Sequence, residues 1–285
     1  MTVQQWKRST ASRLKDGSLD QSAELDARLL LEKVTGLDQI QQILNYDQPL
    51  TEENLLTLET LVQMRLSHRP IAYILGSKEF YGREFSVDER VLIPRADTEI
   101  LVEQVLAFAH KKRMGNTLSI IDVCTGSGAV GITLALELGC HVTLTDISSE
   151  ALMVAKANAE TLGADVQVKQ GDLLSPAEGK YDIIVSNPPY LTETWCDQVS
   201  KEVAWEPRLA LDGKEDDGLG LIRTLVKQST GRLNRGGALF LECDYRQASE
   251  VADLLKAHRF EEVARVRDLA FLERVLWGVL ACTSN

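Results

Sequence analysis

The fold is indicated by the stretch Tyr181-Asp182-Ile183-Ile184-Val185-Ser186-Asn187-Pro188-Pro189-Tyr190, in which a short β-branched segment is followed by Asn187 and two prolines. Its apolar half predicts a buried strand. That strand must end at Asn187, because proline has no N–H for a sheet ladder and holds the residue before it in extended geometry. Open α/β sheets bind ligands at the carboxyl ends of their strands, so this stiff loop is a candidate site. Its amide side chain, fixed carbonyl groups and aromatic ring are suited to grip a planar NH2 group.

Strands and helices alternate around this block. The predicted strands cover residues 118–123, 141–145, 166–168, 181–185, 238–242, 263–266 and 275–280, and the predicted helices include 129–138, 251–257 and a segment between Ser148 and Gly163. Such alternation predicts a doubly wound, mostly parallel α/β sheet. The last two strands follow one another without a helix between them, so we expect an antiparallel member in a sheet of seven strands.

Residues 1–70 have a helical pattern instead. Ser22 precedes an apolar-rich run that ends near Gly36, and Thr51 is a predicted N-cap for a later run. In that later run, apolar residues recur every three or four positions until Pro70 stops the helix. We therefore expect a small helical domain over residues 1–70, of the kind that recognises or orients a substrate.

Residues 71–94 connect this region to the rest of the chain. The runs at 73–76 and 79–87 predict short strands around glycine turns, which we interpret as a β-hairpin linker. A helix beginning at Thr98 and Glu99 then opens the larger domain, residues 95–285, which carries the alternating pattern.

Composition and charge restrict the class of protein. The chain has 285 residues and a formal net charge of −11, which disfavours tight, sequence-independent binding of nucleic acid because such binding usually needs a basic face. No apolar stretch reaches the ~18 residues that a membrane helix needs, and the first residues have no apolar core of the signal-peptide kind. We expect a cytoplasmic protein, monomeric, that binds neither membranes nor nucleic acid directly.

The cysteines and histidines show no ligand-like spacing. The five cysteines are Cys124, Cys140, Cys196, Cys243 and Cys282, with no C-x-x-C pair, and the four histidines are equally scattered. This pattern indicates reduced thiols rather than a disulfide framework or a zinc site. We expect no metal.

A glycine-rich loop follows the first strand of the larger domain, at Asp122-Val123-Cys124-Thr125-Gly126-Ser127-Gly128. Glycines there let the backbone turn tightly and approach a ligand. With Gly131 the loop also satisfies G-x-G-x-x-G, and Asp146, at the end of the second strand, stands where it can accept both ribose hydroxyls of a nucleotide. A nicotinamide-dependent dehydrogenase is therefore one hypothesis.

Two features favour S-adenosylmethionine over a dinucleotide. The residue directly after the strand is Cys124, so the glycines begin later than a dinucleotide turn needs. Asp122 would repel a pyrophosphate but attract the ammonium and sulfonium groups of S-adenosylmethionine. Asp172, after the third strand, could accept a hydrogen bond from an adenine amine. Acidic residues thus end three successive strands, which suits a cationic nucleoside cofactor.

With both loops placed, the chain resembles class I methyltransferases that act on an exocyclic or amide nitrogen. The Asn187-Pro188-Pro189-Tyr190 signature is similar in adenine-N6 DNA methyltransferases, some RNA methyltransferases and glutamine-N5 protein methyltransferases, and it cannot choose among them. The flanking segments resemble the HemK-type release-factor glutamine methyltransferases: Arg69-Pro70-Ile71-Ala72-Tyr73-Ile74-Leu75-Gly76, Glu79-Phe80-Tyr81-Gly82, Val91-Leu92-Ile93-Pro94-Arg95, Glu206-Pro207-Arg208-Leu209-Ala210-Leu211, Asp217-Gly218-Leu219, Asp268-Leu269-Ala270 and Arg274-Val275.

The resemblance implies a Rossmann-like methyltransferase sheet and a set of site residues. The residues implied to bind S-adenosylmethionine, and its product S-adenosylhomocysteine, are Cys124, Thr125, Gly126, Ser127, Gly128, Asp146, Leu173 and Asn187, beside the Asp122 and Asp172 inferred above. Those implied to hold the acceptor glutamine are Asn187, Pro188, Pro189 and Tyr190, of which Asn187, Pro188 and Tyr190 are the expected catalytic residues. The family's substrate is the glutamine of the Gly-Gly-Gln loop of peptide-chain release factors.

A second polar cluster, Arg95, Thr98 and Glu99, follows the linker. Arg95 and Glu99 are candidates to close over the cofactor or to contact the substrate loop. A helix N-terminus with Thr98 as its cap is the other interpretation.

The chain departs from the family pattern in three places. It has Cys124 where the family usually has glycine, Ala96 where it has proline, and Leu241-Glu242-Cys243-Asp244 where it has Leu-Glu-Ile-Gly. Cys124 is the departure that touches the site, where it could crowd the methionine end of the cofactor.

Two alternatives to a protein methyltransferase stay open at this point. An adenine-N6 nucleic-acid methyltransferase would need a basic groove or a recognition insertion, and the acidic chain has no insertion of that size. A non-catalytic adaptor would keep the fold and fail to bind S-adenosylmethionine, with Cys124 as the change responsible.

Overall fold

The computed structural model of the chain describes residues 1–19, 21–112 and 118–281. Its contacts divide the chain into two compact units. Unit 1 comprises residues 1–77 and 200–205, and unit 2 comprises residues 78–199 and 206–285. The predicted free thiol of Cys282 lies outside the described residues.

Unit 1 is helical. Its helices are α1 (Val3–Asp16), α2 (Ala23–Thr35), α3 (Gln39–Leu44), α4 (Glu52–Leu66) and α5 (Ile71–Leu75). As predicted, Thr51 caps α4, accepting a hydrogen bond from Asn54 N, and α2 ends at Gly36, which has left-handed geometry. The apolar stripe of α4 is buried at Leu58 and Val62, where it packs with α1 and α2.

A buried cation lies inside unit 1. The Arg65 side chain is 1% exposed and pairs at 2.7 Å with Asp26, which is equally buried, and at 2.7 Å with Glu202. Because Glu202 belongs to the 200–205 segment, this pair ties that segment to the helices of its own unit. A buried charge is tolerated only when it is paired in this way.

The segment between the two units forms one helix and one hairpin. The strand predicted over residues 73–76 is wrong: α5 occupies Ile71–Leu75 and ends at Gly76, whose φ of 81° is left-handed. Pro70 is the N-cap residue of this helix, and its φ of −54° already has a helical value. The predicted hairpin is confirmed in β1 (Ser77–Phe80) and β2 (Arg83–Ser86), which pair as a two-stranded sheet.

Unit 2 contains a seven-stranded sheet. Its strands are β3 (Ile120–Val123), β4 (Val142–Asp146), β5 (Val166–Gln170), β6 (Tyr181–Ser186), β7 (Leu233–Glu242), β8 (Phe260–Arg267) and β9 (Glu273–Leu280). Its helices are α6 (Glu99–Lys111), α7 (Ala129–Leu138), α8 (Ser149–Leu162), α9 (Glu193–Asp197), α10 (Gly220–Arg232) and α11 (Ala248–Ala257). The sequence pattern predicts every one of these strands but predicts neither α9 nor α10.

The strand order is β5-β4-β3-β6-β7-β9-β8. Strands β3 to β7 are parallel, and β9 is antiparallel to both β7 and β8. The predicted mostly parallel sheet with an antiparallel member at its C-terminal end is confirmed.

Successive side chains of a strand pack into two different hydrophobic cores, one on each face of the sheet. In β3, Ile120 packs with α6, α7 and α8, whereas the next residue, Ile121, packs with α10 and α11. Ile183 and Ile184 of β6 divide in the same way. Successive residues of a strand point to opposite faces, so three helices cover one face and two cover the other. The sheet is doubly wound.

The site lies where the strand order reverses. From β3 the chain proceeds to β4 and β5 on one side and later returns to β6 and β7 on the other. Val123, the last residue of β3, is in register with Thr145 of β4 and with Ser186 of β6. The loops that follow these strands therefore emerge side by side at one edge, which is where such sheets bind ligands.

Candidate active site

A cleft of about 900 Å³, counting its open side, lies at this edge of unit 2. The predicted site residues that line it are Cys124, Gly126, Asp146, Asp172, Leu173, Asn187 and Pro189. An adjoining smaller pocket is lined by Asp122, Thr125 and Ser127 together with Arg95 and Thr98. Gly128, Pro188, Tyr190 and Glu99 are not among the residues that line either cavity.

The glycine loop is fixed by its own backbone geometry. Gly126, at φ 55°, donates its N–H to Asp146 Oδ2 at 2.9 Å. Gly128, at φ 84°, lies so close to α7 that a Cβ there would stand 2.5 Å from Ile132 Cδ1. Left-handed geometry and close packing explain why glycine occupies both positions.

Asp122 lies beneath this loop and is 1% exposed. Its Oδ2 accepts hydrogen bonds from the Thr125 hydroxyl at 2.6 Å and from Gly131 N at 2.9 Å. Burial raises the pKa of this carboxyl to about 7, although the two hydrogen bonds oppose the rise. Through these hydrogen bonds Asp122 holds the loop against the first turn of α7. An electrostatic attraction between Asp122 and the cofactor stays a prediction.

Asp122 should make stability depend on pH. An unfolded aspartate titrates near its ordinary value of 3.8, whereas the folded group titrates near 7, so in that window the folded protein holds the extra proton. Stability therefore falls as the pH rises through the window, by up to about 1.4 kcal/mol per pH unit. We expect Asp122→Asn to flatten this slope, measured by urea unfolding between about pH 4 and pH 7; parallel slopes would contradict the assignment.

Asp146 and Asp172 are held at the cleft in different ways. Asp146 Oδ1 accepts from Ser148 N at 2.9 Å while Oδ2 holds Gly126. Burial raises the pKa of Asp146, and the backbone N–H groups of Ser148 and Gly126 counter this. Asp172 is exposed on the cleft wall. Both carboxyls thus stand at strand ends, as the sequence predicts.

Cys124 lies on the cleft wall in left-handed backbone geometry, at φ 59°. A residue with a Cβ is uncommon there, which gives a physical reason for the glycine that the family usually has. Burial raises the pKa of the thiol, so it stays protonated and is a poor nucleophile.

Substitutions at Cys124 should separate backbone strain from side-chain bulk. Cys124→Gly relieves the left-handed geometry, so its midpoint of urea unfolding is expected at or above that of the parent. Cys124→Val places a β-branched side chain there and is expected to lose about 1–2 kcal/mol of unfolding free energy. Equal midpoints for the two variants would contradict the role of φ.

The other two departures cause no strain. Ala96 begins a 3₁₀ turn, Ala96–Thr98, at the kind of position where proline is also suited. Asp244 has an ordinary φ of −68° and caps the turn Tyr245–Gln247.

Asn187 follows β6 directly and donates from Nδ2 to the Thr98 hydroxyl oxygen at 3.3 Å. Thr98 is 4% exposed and makes no capping hydrogen bond to α6. Thr98 is the N-cap residue of α6, as predicted, but its hydroxyl accepts from the Asn187 side chain instead of capping the helix.

Hydrogen bonds hold both the side-chain hydroxyl and the backbone carbonyl of Tyr190. Its hydroxyl donates to Glu242 Oε1 at 3.3 Å, and its carbonyl accepts from Gln247 Nε2 at 2.8 Å. Burial raises the pKa of the phenol, so the hydroxyl remains a donor. Pro188 and Pro189 are buried before it, which keeps the loop stiff.

Arg95 and Glu99 are occupied by contacts inside unit 2. The Arg95 guanidinium pairs with Glu206, whose other oxygen accepts from Ile93 N at 3.3 Å. Glu99 accepts a hydrogen bond from Tyr81 N in the hairpin turn at 2.9 Å. These contacts hold the loops around the cleft, and a direct contact of either residue with substrate stays a prediction.

Sequence reasoning missed two buried amides that hold the site together. Asn158 of α8 bonds Ser86 of the hairpin through both backbone groups and also bonds Ser127 O at 2.9 Å. Gln247 bonds Tyr190 O and, at 2.7 Å, Asp217 O. Each amide joins segments distant in the chain, so no local pattern marks it.

The described residues contain no metal site, membrane-spanning helix or disulfide. No group of three or more His, Cys, Asp or Glu side chains converges among them as metal ligands would. None of their helices is long and apolar enough to span a bilayer. Cys124, Cys140, Cys196 and Cys243 are all unpaired thiols.

Solved structures show the same fold at low sequence identity. A methyltransferase from Pyrococcus furiosus is 17% identical, with a TM-score of 0.53 over 72% of this chain and 92% of that one. The catalytic domain of hMettl16 is 14% identical, with a TM-score of 0.56 over 82% of this chain and 84% of that one.

Family models and relatives cover most of the sequence. Residues 5–76 match the PrmC N-terminal domain and residues 97–206 match the methyltransferase small domain. The release factor glutamine methyltransferase of Neisseria gonorrhoeae is 40% identical over 91% of this chain and 94% of its own length. That of Haemophilus influenzae is 34% identical over 98% and 99%. The chain belongs to the release factor glutamine methyltransferase family.

Proposed function

We propose that the protein transfers a methyl group from S-adenosylmethionine to the side-chain amide nitrogen of the glutamine in the Gly-Gly-Gln motif of peptide-chain release factors. The observation that carries this is Asn187, an amide fixed at the cleft directly after β6. The curated relatives with this function cover nearly the whole chain, which supports the choice of a protein glutamine over a nucleic-acid base.

The cleft suits S-adenosylmethionine in its charge and shape. Gly126 exposes bare backbone, because a Cβ there would meet nothing within 4 Å. Asp146 accepts from Gly126 N through Oδ2 and from Ser148 N through Oδ1, and the remaining lone pairs of both oxygens are available to ribose hydroxyls. Asp172 and Leu173 flank the place of the adenine, and Asp122 lies beneath the ammonium end. When bound, S-adenosylmethionine supplies an electrophilic methyl group on a positively charged sulfur.

The acceptor side needs orientation rather than a strong base. An amide nitrogen is a poor nucleophile, since its lone pair is delocalised into the carbonyl group. Asn187 Oδ1 and the Pro188 carbonyl each accept one N–H of the glutamine, which aims the nitrogen lone pair at the methyl group. The Tyr190 ring packs on the flat amide. The nitrogen releases a proton to solvent as the N–C bond forms and the S–C bond breaks.

The parts of the chain divide this work. Residues 1–70 recognise the release factor, residues 71–94 serve as the linker, and residues 95–285 carry the transfer reaction. A pocket of about 810 Å³ in unit 1, counting its open side, includes Lys7 and Arg8, two basic residues in a chain of net charge −11. Within this proposal, the pocket is the surface of unit 1 that contacts the substrate protein.

The test is to incubate the full chain with methyl-labelled S-adenosylmethionine and a purified release factor, and to locate the label by peptide mass spectrometry. Label on the glutamine of Gly-Gly-Gln is the expected result. Label on added DNA or RNA and none on the release factor would defeat the proposal in favour of an adenine methyltransferase. Calorimetry without binding of S-adenosylmethionine would favour a non-catalytic adaptor.

A further inference from the structure

The turn that follows β7, residues 244–247, contacts the segment that continues the acceptor loop at two points. Gln247 Nε2 donates to Tyr190 O at 2.8 Å. Farther along the same segment, the Arg246 guanidinium lies over the Trp195 ring, with 3.4 Å between Arg246 Cζ and the ring centroid. One turn therefore holds both ends of the segment that runs from Tyr190 to Trp195.

Asp244 fixes the Arg246 side chain in this place. Its Oδ1 accepts from Arg246 Nε at 2.7 Å and its Oδ2 accepts from Nη2 at 3.1 Å. Oδ1 also accepts from the Arg246 backbone N–H at 3.0 Å. A bidentate pair sets the plane of a guanidinium, and a guanidinium held in one plane can stack its flat face on an aromatic ring. The carboxylate thus orients the cation for its contact with Trp195.

The Arg246–Trp195 stack matters for α9 because this helix is too short to be stable without contacts to the rest of the protein. It has five residues, and isolated helices of such length do not persist in water. Its last residue, Asp197, pairs with Arg208 at 2.8 Å, but both side chains are more than half exposed, and such a pair contributes little. The buried Cys196 side chain and the stack on Trp195 are the contacts that fix α9.

Helix α9 borders the cleft on the side where an acceptor protein has to lie. Pro189 lines the cleft, and Leu191 forms a β-bridge with Asp212, which lines it too. The helix begins two residues after this bridge, at Glu193. A glutamine within a loop of a folded protein reaches the cleft only if the chain on either side of it lies over the rim. The position of α9 therefore decides how well that chain fits.

We propose that Asp244 is a positioning residue for binding of the acceptor protein: by holding Arg246 on Trp195 it fixes α9 as the rim against which the chain beside the acceptor glutamine lies. The identity of the acceptor rests on the proposed function, but the stack can be observed without it. Asp244 stands where the family usually has glycine, which has no side chain to hold an arginine. The device thus distinguishes this chain from relatives with that glycine.

Loss of the stack should weaken binding of the release factor and leave the chemical step intact. An α9 that occupies several positions binds the acceptor only in one of them, so Arg246→Ala and Asp244→Ala are each expected to raise KM for the release factor about fivefold. Saturating release factor restores the bound position, and Asn187 keeps its bond to Thr98. We therefore expect kcat and the Kd for S-adenosylmethionine to stay within about twofold of the parent.

Two further variants separate the orientation of Arg246 from its charge. Arg246→Lys keeps the charge but has neither the bidentate fork nor the flat face, so its KM should rise as in Arg246→Ala. The double variant of Asp244→Ala and Arg246→Ala should have no higher KM than the worse single variant, because both changes break one contact. The matched control is Arg265→Ala, which removes another half-exposed arginine pair, with Glu273 at 3.3 Å, from the edge strand β8 and should keep the parent KM.

Parent-like KM in Arg246→Ala would overturn the proposal, and so would parent-like KM in Arg246→Lys or additive losses in the double variant. A parallel fall in kcat, cofactor affinity and melting temperature would also overturn it, because that pattern marks a purely structural residue. The melting temperatures of the single variants are expected within about 3 °C of the parent.

A second measurement is independent of turnover. The chain has four tryptophans, so the fluorescence of Trp195 is obtained as the difference between each protein and the same protein carrying Trp195→Phe. Acrylamide should quench this signal more strongly in Asp244→Ala and Arg246→Ala than in the parent, because the face of the ring is uncovered. Equal quenching would overturn the proposal. If the parent fails to methylate release factor but the quenching rises, the function proposed above fails and the positioning of α9 by Asp244 stands.

Discussion

Asn187→Ala is expected to lower kcat for methyl transfer to the release factor by about 10²–10³-fold, the usual cost of one preorganised polar contact at a reacting group. The side chain is fixed by Thr98 and lines the cleft, and its loss frees one N–H of the acceptor amide. The fold should persist, since alanine suits the strand end and Pro188 and Pro189 still stiffen the loop. Affinity for S-adenosylmethionine should largely persist.

The matched control is Asn234→Ala. Asn234 lies at the start of β7, away from the cleft, and bonds Asp182 at 2.8 Å. This variant also loses one partly buried amide from the sheet, so it reports any general effect of the substitution. Single-turnover assays with saturating cofactor measure both variants. Turnover of Asn187→Ala equal to that of Asn234→Ala would remove Asn187 from the reaction.

Gly213→Ala is expected to lower turnover about 100-fold and to destabilise unit 2 by about 1–3 kcal/mol. A Cβ at this position would stand 2.0 Å from Gly218 O and 2.7 Å from the Tyr190 Cα. These are backbone atoms that cannot rotate away. Gly218 is itself in left-handed geometry and packs on Tyr190 O, so relief of the clash is expected to shift the loop that carries Tyr190.

Gly231→Ala is the matched control for this glycine. Gly231 lies on the exposed side of α10, where a Cβ would meet nothing within 4 Å. Alanine favours a helix over glycine by about 1 kcal/mol, so this variant should be slightly stabilised and fully active. Turnover is measured with release factor and stability by urea unfolding. If both variants keep parent activity, the packing of Gly213 on Tyr190 does not control the loop.

The sequence predicts most of the fold because its signals are local. The β-branched runs at 120–123 and 181–186 can be recognised as strands within a few residues, and the glycines at 126 and 128 are required by the turn itself. Short segments without strong hydrophobic periodicity do not indicate by themselves whether they form a helix or a strand. The five residues of α5 follow a proline and end in a glycine, a pattern that suits either a turn of helix or a strand.

The sequence by itself determined the doubly wound sheet, the glycine loop at Gly126 and Gly128, and the stiff Asn187–Tyr190 loop, because each follows from sterics and periodicity within one segment. Only the tertiary structure decided what holds that loop. Thr98 lies 89 residues from Asn187, and Glu242 and Gln247 lie 52 and 57 residues from Tyr190. The bonds from Glu242 and Gln247 depend on the strand order that places β7 next to β6, and the bond from Thr98 depends on how α6 packs on the sheet, so no local sequence pattern encodes these partners.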